Sequence, residues 1–191
     1  MSWRPVIGLE VHVQLATRTK LFSACPRAAD ARQPANRYTD PVSLGLPGTL
    51  PVLNRNAVEL AVRLGVALEG RVARRSRFVR KHYFYPDLPR NFQITQESEP
   101  LVRGGRVRFE LDGEVRELPI IRMHLEEDAA RTVHGEGRIR VDFNRAGAAL
   151  VEIVTEPGLR EPREAAAVLT SLRELVRWIG VSDADLEDGQ L

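Results

Sequence analysis

One cysteine, Cys25, stands among 191 residues. A single thiol excludes an intrachain disulfide and fits a reducing, cytoplasmic setting. Lysine is almost as scarce: of 28 basic residues, only Lys20 and Lys81 are lysine. Both matter, because a compact ammonium is not equivalent to a guanidinium at a phosphate or carboxylate. No apolar run approaches the ~20 residues of a membrane span, and the first residues lead into a strand without a signal or transit pattern. Neither a Walker-type loop nor a G-x-G-x-x-G occurs. A bound nucleotide would therefore be held by a metal and by Lys or Arg, not by a glycine loop. Internal repeats and low-complexity segments are absent. A net charge of +2 is too small to argue for nucleic acid by itself.

The most informative stretch is Val6 to Leu15. Ile7, Leu9, Val11, Val13 and Leu15 are apolar, and between them lie Glu10, His12 and Gln14. Alternation puts the first set on a core face and the second on the other. Carboxylate and imidazole then stand about 7 Å apart along the strand, near enough to share a hard cation or a proton. The plain solvent face of an ordinary strand explains the same pattern.

Residues 21–51 lack regular periodicity, and so long an excursion is usually functional or metal-held. Asn54 caps a predicted helix to Glu69, with Val58, Ala61, Val62 and Leu64 on its apolar stripe and Gly70 as its stop. Residues 71–81 are basic, and an aromatic group with Tyr83, Phe84 and Tyr85 follows. Arg106 to Ile121 reads as a hairpin turned at Asp112-Gly113, its second strand running on to Leu125. Ile139–Asn144 alternates with Ile139, Val141 and Phe143 inward, and Leu150–Thr155 is a further strand. Pro162 opens a helix to Ile179, with Gly180 as the stop. Hairpins outnumber strand–helix–strand units, so the expected class is α+β, largely antiparallel, with flanking helices.

Three consecutive acids follow His124, and Glu152 interrupts the apolar run Leu150–Val154. Adjacent buried acids need a cation or several donors, whereas exposed ones need neither. Glu10, His12, one acid of 126–128 and Glu152 would suit Mg2+ or Mn2+ better than a closed zinc site. Parity decides which acid: in a straight strand Glu127 shares the face of Met123 and Leu125, and Glu126 that of His124. Only a bulge or a strand end near Leu125 frees Glu127.

Seven ordered blocks resemble one family. They are Ile7–Leu15, Leu44–Asn54, Arg80–Pro89, Phe92–Gln96, His124–Ala129, Asp142–Gly147 and Leu150–Pro157. Together they look like the B subunit of aspartyl/glutamyl-tRNA amidotransferase, the GatB/GatE family. The match covers residues 6–191.

The resemblance implies the amino-terminal part of a GatB-type catalytic (cradle) domain, a carbon–nitrogen ligase with glutamine as nitrogen donor. ATP would phosphorylate the side-chain carboxylate of Glu or Asp on misacylated tRNA, and ammonia would displace phosphate. The implied cofactors are Mg2+ and ATP. The implied partners are the amidase subunit, the small C subunit and the tRNA acceptor end. Carried onto this chain, His12, Glu127 and Glu152 look like Mg2+ ligands, with Glu10 beside them. Lys81, Tyr83, Asn144 and Arg145 look like contacts to phosphate or to the acceptor end.

Two departures stand out. Some family members carry a four-cysteine zinc cluster where this chain has Ser23, Cys25, Asp40 and Ser43. No zinc is expected from one thiolate, and packing alone should hold the excursion. Members also continue past residue 191 into helical tRNA-binding domains. The chain therefore resembles a fragment that aggregates or needs a partner and lacks full activity. Two other classes compete: a non-catalytic scaffold that docks on the amidase subunit, and an unrelated metal-dependent phosphohydrolase.

Overall fold

The computed structural model describes residues 3–28, 32–135 and 137–191. Residues 29–31 of the excursion fall outside the described residues. The class is α+β, with antiparallel pairing throughout. The elements in chain order are β1 (Glu10–Gln14), α1 (Arg55–Ala67), β2 (Arg71–Val72), β3 (Val79–His82), β4 (Phe92–Thr95) and β5 (Val102–Arg103). Then come β6 (Arg106–Leu111), β7 (Glu114–Glu127), β8 (Arg131–Gly135), β9 (Arg138–Asp142), β10 (Ala149–Thr155) and α2 (Pro162–Trp178).

The main sheet runs β1-β10-β7-β5-β2, with β6 also on β7. β3–β4 and β8–β9 are separate two-stranded ribbons. Apolar residues of β1, β10, β7 and β6 share one core with Leu60 and Leu64 of α1 and Val168, Leu172 and Val176 of α2. Both helices thus lie on the core face of the sheet. α1 comes close because Gly65 lies under Val102: a Cβ there would stand 2.6 Å from Val102 Cγ2.

The hairpin turns where expected. Asp112 (φ 56°) and Gly113 (φ 77°) both take the left-handed conformation that a two-residue turn matched to strand twist requires. Its second strand runs two residues beyond the expected end, to Glu127. A bulge interrupts it: Val154 pairs with Arg122 and Thr155 with Ile120, so Ile121 is left over. Leu118 and Ile120 are buried before the bulge, and Met123 and Leu125 after it. One extra residue has moved the core face from even to odd positions.

Two expectations change. β1 is shorter than residues 6–15, and Ile7 makes only an isolated bridge to Leu159. Ile139 does not point inward: it is 63% exposed on the β8–β9 ribbon, whose alternation lacks a packed face to serve.

Helix starts follow their caps. Asn54 Oδ1 accepts from the amides of Asn56 and Ala57, while its Nδ2 donates to Thr19 Oγ1 at 2.9 Å and to the Lys20 carbonyl at 3.2 Å. α1 ends at Ala67 instead of Glu69, because Glu69 itself turns left-handed (φ 58°). Pro162 opens α2 as expected, and Gly180 (φ 65°) closes it. Asn54→Ala removes the cap and orphans groups of the excursion. Urea unfolding should show a loss of about 2 kcal/mol; a loss below about 0.5 kcal/mol contradicts this role.

Candidate metal centre

Register builds the site. His12 lies opposite Glu152, and Glu152 lies opposite His124, so three neighbouring strands present three side chains in one row. Directly opposed residues share a face. Glu10 sits one pair along from His12, and Glu126 one pair along from His124, on that same face. The opposite face carries Val11, Val13, Met123, Leu125, Val151 and Ile153, which fixes the polar set by exclusion.

The side chains converge. His12 Nε2 stands 2.9 Å from Glu126 Oε1 and 3.3 Å from Glu152 Oε2. His124 Nε2 stands 3.6 Å from Glu126 Oε2 and 3.7 Å from Glu152 Oε2. Thr95 Oγ1 donates to Glu126 Oε2 at 3.1 Å. Two triads, Glu10–His12–Glu152 and His124–Glu126–Glu152, each offer ligand atoms within 4.8 Å of one another. His124, Glu126 and Glu152 are buried, and only the His12 side chain, 45% exposed, and Glu10 open to solvent.

The electrostatics are those of charges held together out of water. Hydrogen bonds to Glu126 and then Glu152 raise His12 to about 10. Burial opposes ionisation of Glu126, but hydrogen bonds from His12 and His124 outweigh it and bring the carboxyl to about 2. Burial also opposes ionisation of Glu152, and the hydrogen bond from His12 leaves its pKa lowered. The His12 proton thus bridges two carboxylates, the place a cation would occupy. The donor set fits a hard divalent ion: several carboxylate oxygens and an imidazole, plus a buried His124 Nδ1 with no hydrogen-bond partner among the described residues.

Glu127 goes elsewhere. Its carboxylate pairs with Arg90 and accepts from the Ile94 amide at 2.8 Å, and burial pushes its pKa up. The bulge at Ile121 precedes His124, so Glu127 stays in phase with Met123 and Leu125. Glu126 occupies the place expected for Glu127. Parity was the signal in the sequence, and it also holds His124 in the cluster.

The other expected residues lie around this centre. Lys81 is exposed on β3 opposite Gln93, whose Nε2 donates to the Glu127 carbonyl at 2.8 Å. Tyr83 is 48% exposed and stacks on Tyr85. Neither makes a hydrogen bond or ion pair with the cluster. Asn144 is buried: its Oδ1 accepts from the Tyr38 amide and its Nδ2 donates to the Pro34 carbonyl, each at 2.8 Å. Arg145 pairs with Asp128 and donates to the Gly189 carbonyl. Both line a cleft of about 670 Å³ bordered by Gln14, Arg27 and Arg131.

Packing alone does not hold the excursion, contrary to expectation. Lys20, 1% exposed, donates from Nζ to the Tyr38 carbonyl at 2.7 Å and to the Phe143 carbonyl at 3.4 Å. Asp40 accepts from the Ser43 amide and hydroxyl. Cys25 is buried beside them.

Helices on one face of an antiparallel sheet and a His–Glu–His row with two further acids on the other define an α+β domain built around a candidate divalent-cation centre. The GatB/GatE catalytic domain family matches residues 5–191, and the chain belongs to that family. The B subunit of aspartyl/glutamyl-tRNA(Asn/Gln) amidotransferase from Halorhodospira halophila is 51% identical over 192 residues, covering 99% of this chain and 40% of that protein. The corresponding B subunits of Geobacillus kaustophilus and Thermomicrobium roseum are 48% and 51% identical over 100% and 99% of this chain. The chain spans about 40% of the length of these relatives. Among the described residues no helix is long and apolar enough to cross a membrane.

The pKa pattern fixes how the metal-free protein responds to pH. His12 is raised from 6.5 to about 10, so its contribution is complete below pH 6.5 and lost as pH rises through about 10. Glu126 is lowered from 4.5 to about 2, so its contribution is complete above pH 4.5 and lost as pH falls through about 2. The share of stability due to these two groups, read from denaturant midpoints, should be constant between pH 4.5 and 6.5 and fall on both sides. His12→Gln should remove most of the alkaline fall; an unchanged alkaline limb contradicts the bridging proton.

Proposed function

We propose that this chain supplies the phosphorylating centre of a glutamine-dependent tRNA amidotransferase. Its substrates are ATP and the Glu or Asp side chain of a misacylated tRNA. Its partners are an amidase subunit that provides ammonia and a small C subunit, and its setting is the cytoplasm. Relatives named for aspartyl/glutamyl-tRNA amidotransferase support the substrate class. The observation that carries the reading is the cluster of buried His124, Glu126 and Glu152 with the solvent-open His12.

A carboxylate is a poor electrophile, and phosphorylation gives it a leaving group. The side-chain oxygen bonds to the terminal phosphorus of ATP as the bond to ADP breaks. Ammonia then adds to the acyl carbon and inorganic phosphate departs, leaving the amide. Mg2+, when bound, would neutralise charge on the transferred phosphoryl group. His12, Glu126, Glu152 and Glu10 would hold it.

The rest falls to the chain's own groups. His124, Glu126 and Glu152 are buried and form a water-poor floor to the site. Thr95 fixes Glu126 through its hydroxyl. Lys81 on the β3–β4 ribbon and Tyr83 just after β3, both exposed, would meet a phosphate and an unstacked base of the acceptor end. Asn144 and Arg145 act by positioning, since their side chains fix the wall of the cleft. A scaffold that only docks on a partner would gain nothing from three buried ionisable groups and an unpartnered imidazole nitrogen.

Mn2+ binding followed by paramagnetic resonance tests the centre. Glu126→Gln and Glu152→Gln should each weaken binding at least tenfold, an order of magnitude typical of lost metal-site residues. Glu127→Gln should leave it within about twofold. Absence of binding in the folded protein, or equal loss in Glu127→Gln, overturns the assignment.

A further inference from the structure

The block Phe92–Gln96 lies where the main sheet runs out of strand. β10 covers one edge of β7 as far as Glu127. On the other edge, β5 reaches only Arg122 and Met123. The main-chain groups of Leu125 and Glu127 on that edge therefore meet no strand among the described residues. A buried main-chain group without a partner is costly. Side chains from β4 and the residue after it meet these groups instead.

Consecutive residues each supply a contact. Gln93 Nε2 donates to the Glu127 carbonyl at 2.8 Å. The Ile94 amide donates to Glu127 Oε1 at 2.8 Å, which turns that carboxylate away from the cluster. Thr95 Oγ1 donates to Glu126 Oε2 at 3.1 Å. Gln96 Oε1 accepts from the Leu125 amide at 3.0 Å and from the Leu101 amide at 3.2 Å. Leu101 immediately precedes β5, so this oxygen stands in the fork where β5 parts from β7. Gln96 Nε2 donates to Ser76 Oγ, which donates on to the Glu99 carbonyl. Gln96 is 3% exposed, and both polar atoms of its amide are engaged. Glu126 thus lies between two clamped main-chain groups, the Leu125 amide before it and the Glu127 carbonyl after it. With Thr95 on Oε2, the other oxygen, Oε1, faces His12 at 2.9 Å.

We propose that Gln93, Thr95 and Gln96 are positioning residues of the metal centre. The two glutamine amides stand in for a missing strand and fix the main chain of Glu126. The threonine hydroxyl sets the rotation of the Glu126 carboxylate. The three act through Glu126 and do not themselves bind the ion. The assignment rests on the metal centre proposed above and adds the shell that holds one of its ligands. A ligand left without such contacts must be ordered when the ion binds, and affinity falls accordingly.

Mn2+ affinity, read by paramagnetic resonance on folded variants of this chain, tests the proposal. Thr95→Val keeps the shape and removes the hydroxyl, and should weaken Mn2+ about tenfold. Thr95→Ser keeps the hydroxyl and should stay within about threefold of the parent. Gln96→Met should also weaken Mn2+ about tenfold. In the metal-free protein, Gln96→Met should speed hydrogen exchange of the Leu125 amide about tenfold, and Thr95→Val should not. Asn54→Ala, which destabilises the fold away from the centre, should leave Mn2+ affinity within about twofold. Parent-like affinity in both Thr95→Val and Gln96→Met, beside a loss in Glu126→Gln, overturns the positioning role and leaves the metal centre standing. Equal loss in Thr95→Ser and Thr95→Val, or in Asn54→Ala, also overturns it, because packing or global stability would then set the affinity. A folded parent chain that does not bind Mn2+ overturns the centre and its positioning residues together.

Discussion

The antiparallel register of β1, β10 and β7 is the constraint on which the candidate centre depends. It sets His12 against Glu152 and Glu152 against His124. A slip of one residue in either pairing would send an ionisable side chain into the core and an apolar one to the polar face. The core enforces the register, because Val13, Leu125, Val151 and Ile153 are almost wholly buried. Hydrophobic packing on one side of the sheet thus fixes polar geometry on the other. The Ile121 bulge is part of the same device. It resets the phase of β7, letting Leu118 and Ile120 face the core at one end while Glu126 faces the cluster at the other.

Such a cluster is costly to bury, and neighbouring donors offset part of that cost. A proton on His12 bridges two carboxylates, and Thr95 donates to one of them. Glu127 and Asp128, the next two acids, are separately matched by Arg90 and Arg145. Three adjacent acids therefore have three different environments. The excursion of residues 21–51 follows the same principle, pinned by a buried lysine ammonium and by the hydrogen bonds around Asp40.

Much of this was legible in the sequence. Asp112-Gly113 marks its turn through local backbone preference, and Asn54, Pro162 and Gly180 mark helix ends in the same way. The alternation around Glu10 and His12, and the lone Glu152 in an apolar run, announced a polar face. Non-local effects were harder to read. Choosing Glu126 over Glu127 required knowing where the strand bulges, which depends on pairing with β10. Ile139 alternates as if buried, but its ribbon has no sheet to pack on. Asn144 and Arg145 were singled out by resemblance, and their side chains prove to be engaged within the protein.

The most direct test is anomalous diffraction from a crystal of this chain grown with Mn2+. The account predicts a single strong peak bonded to His12, Glu126 and Glu152, with Glu127 still paired to Arg90. A peak at Glu127, or a cluster that remains proton-bridged at saturating Mn2+, would contradict it.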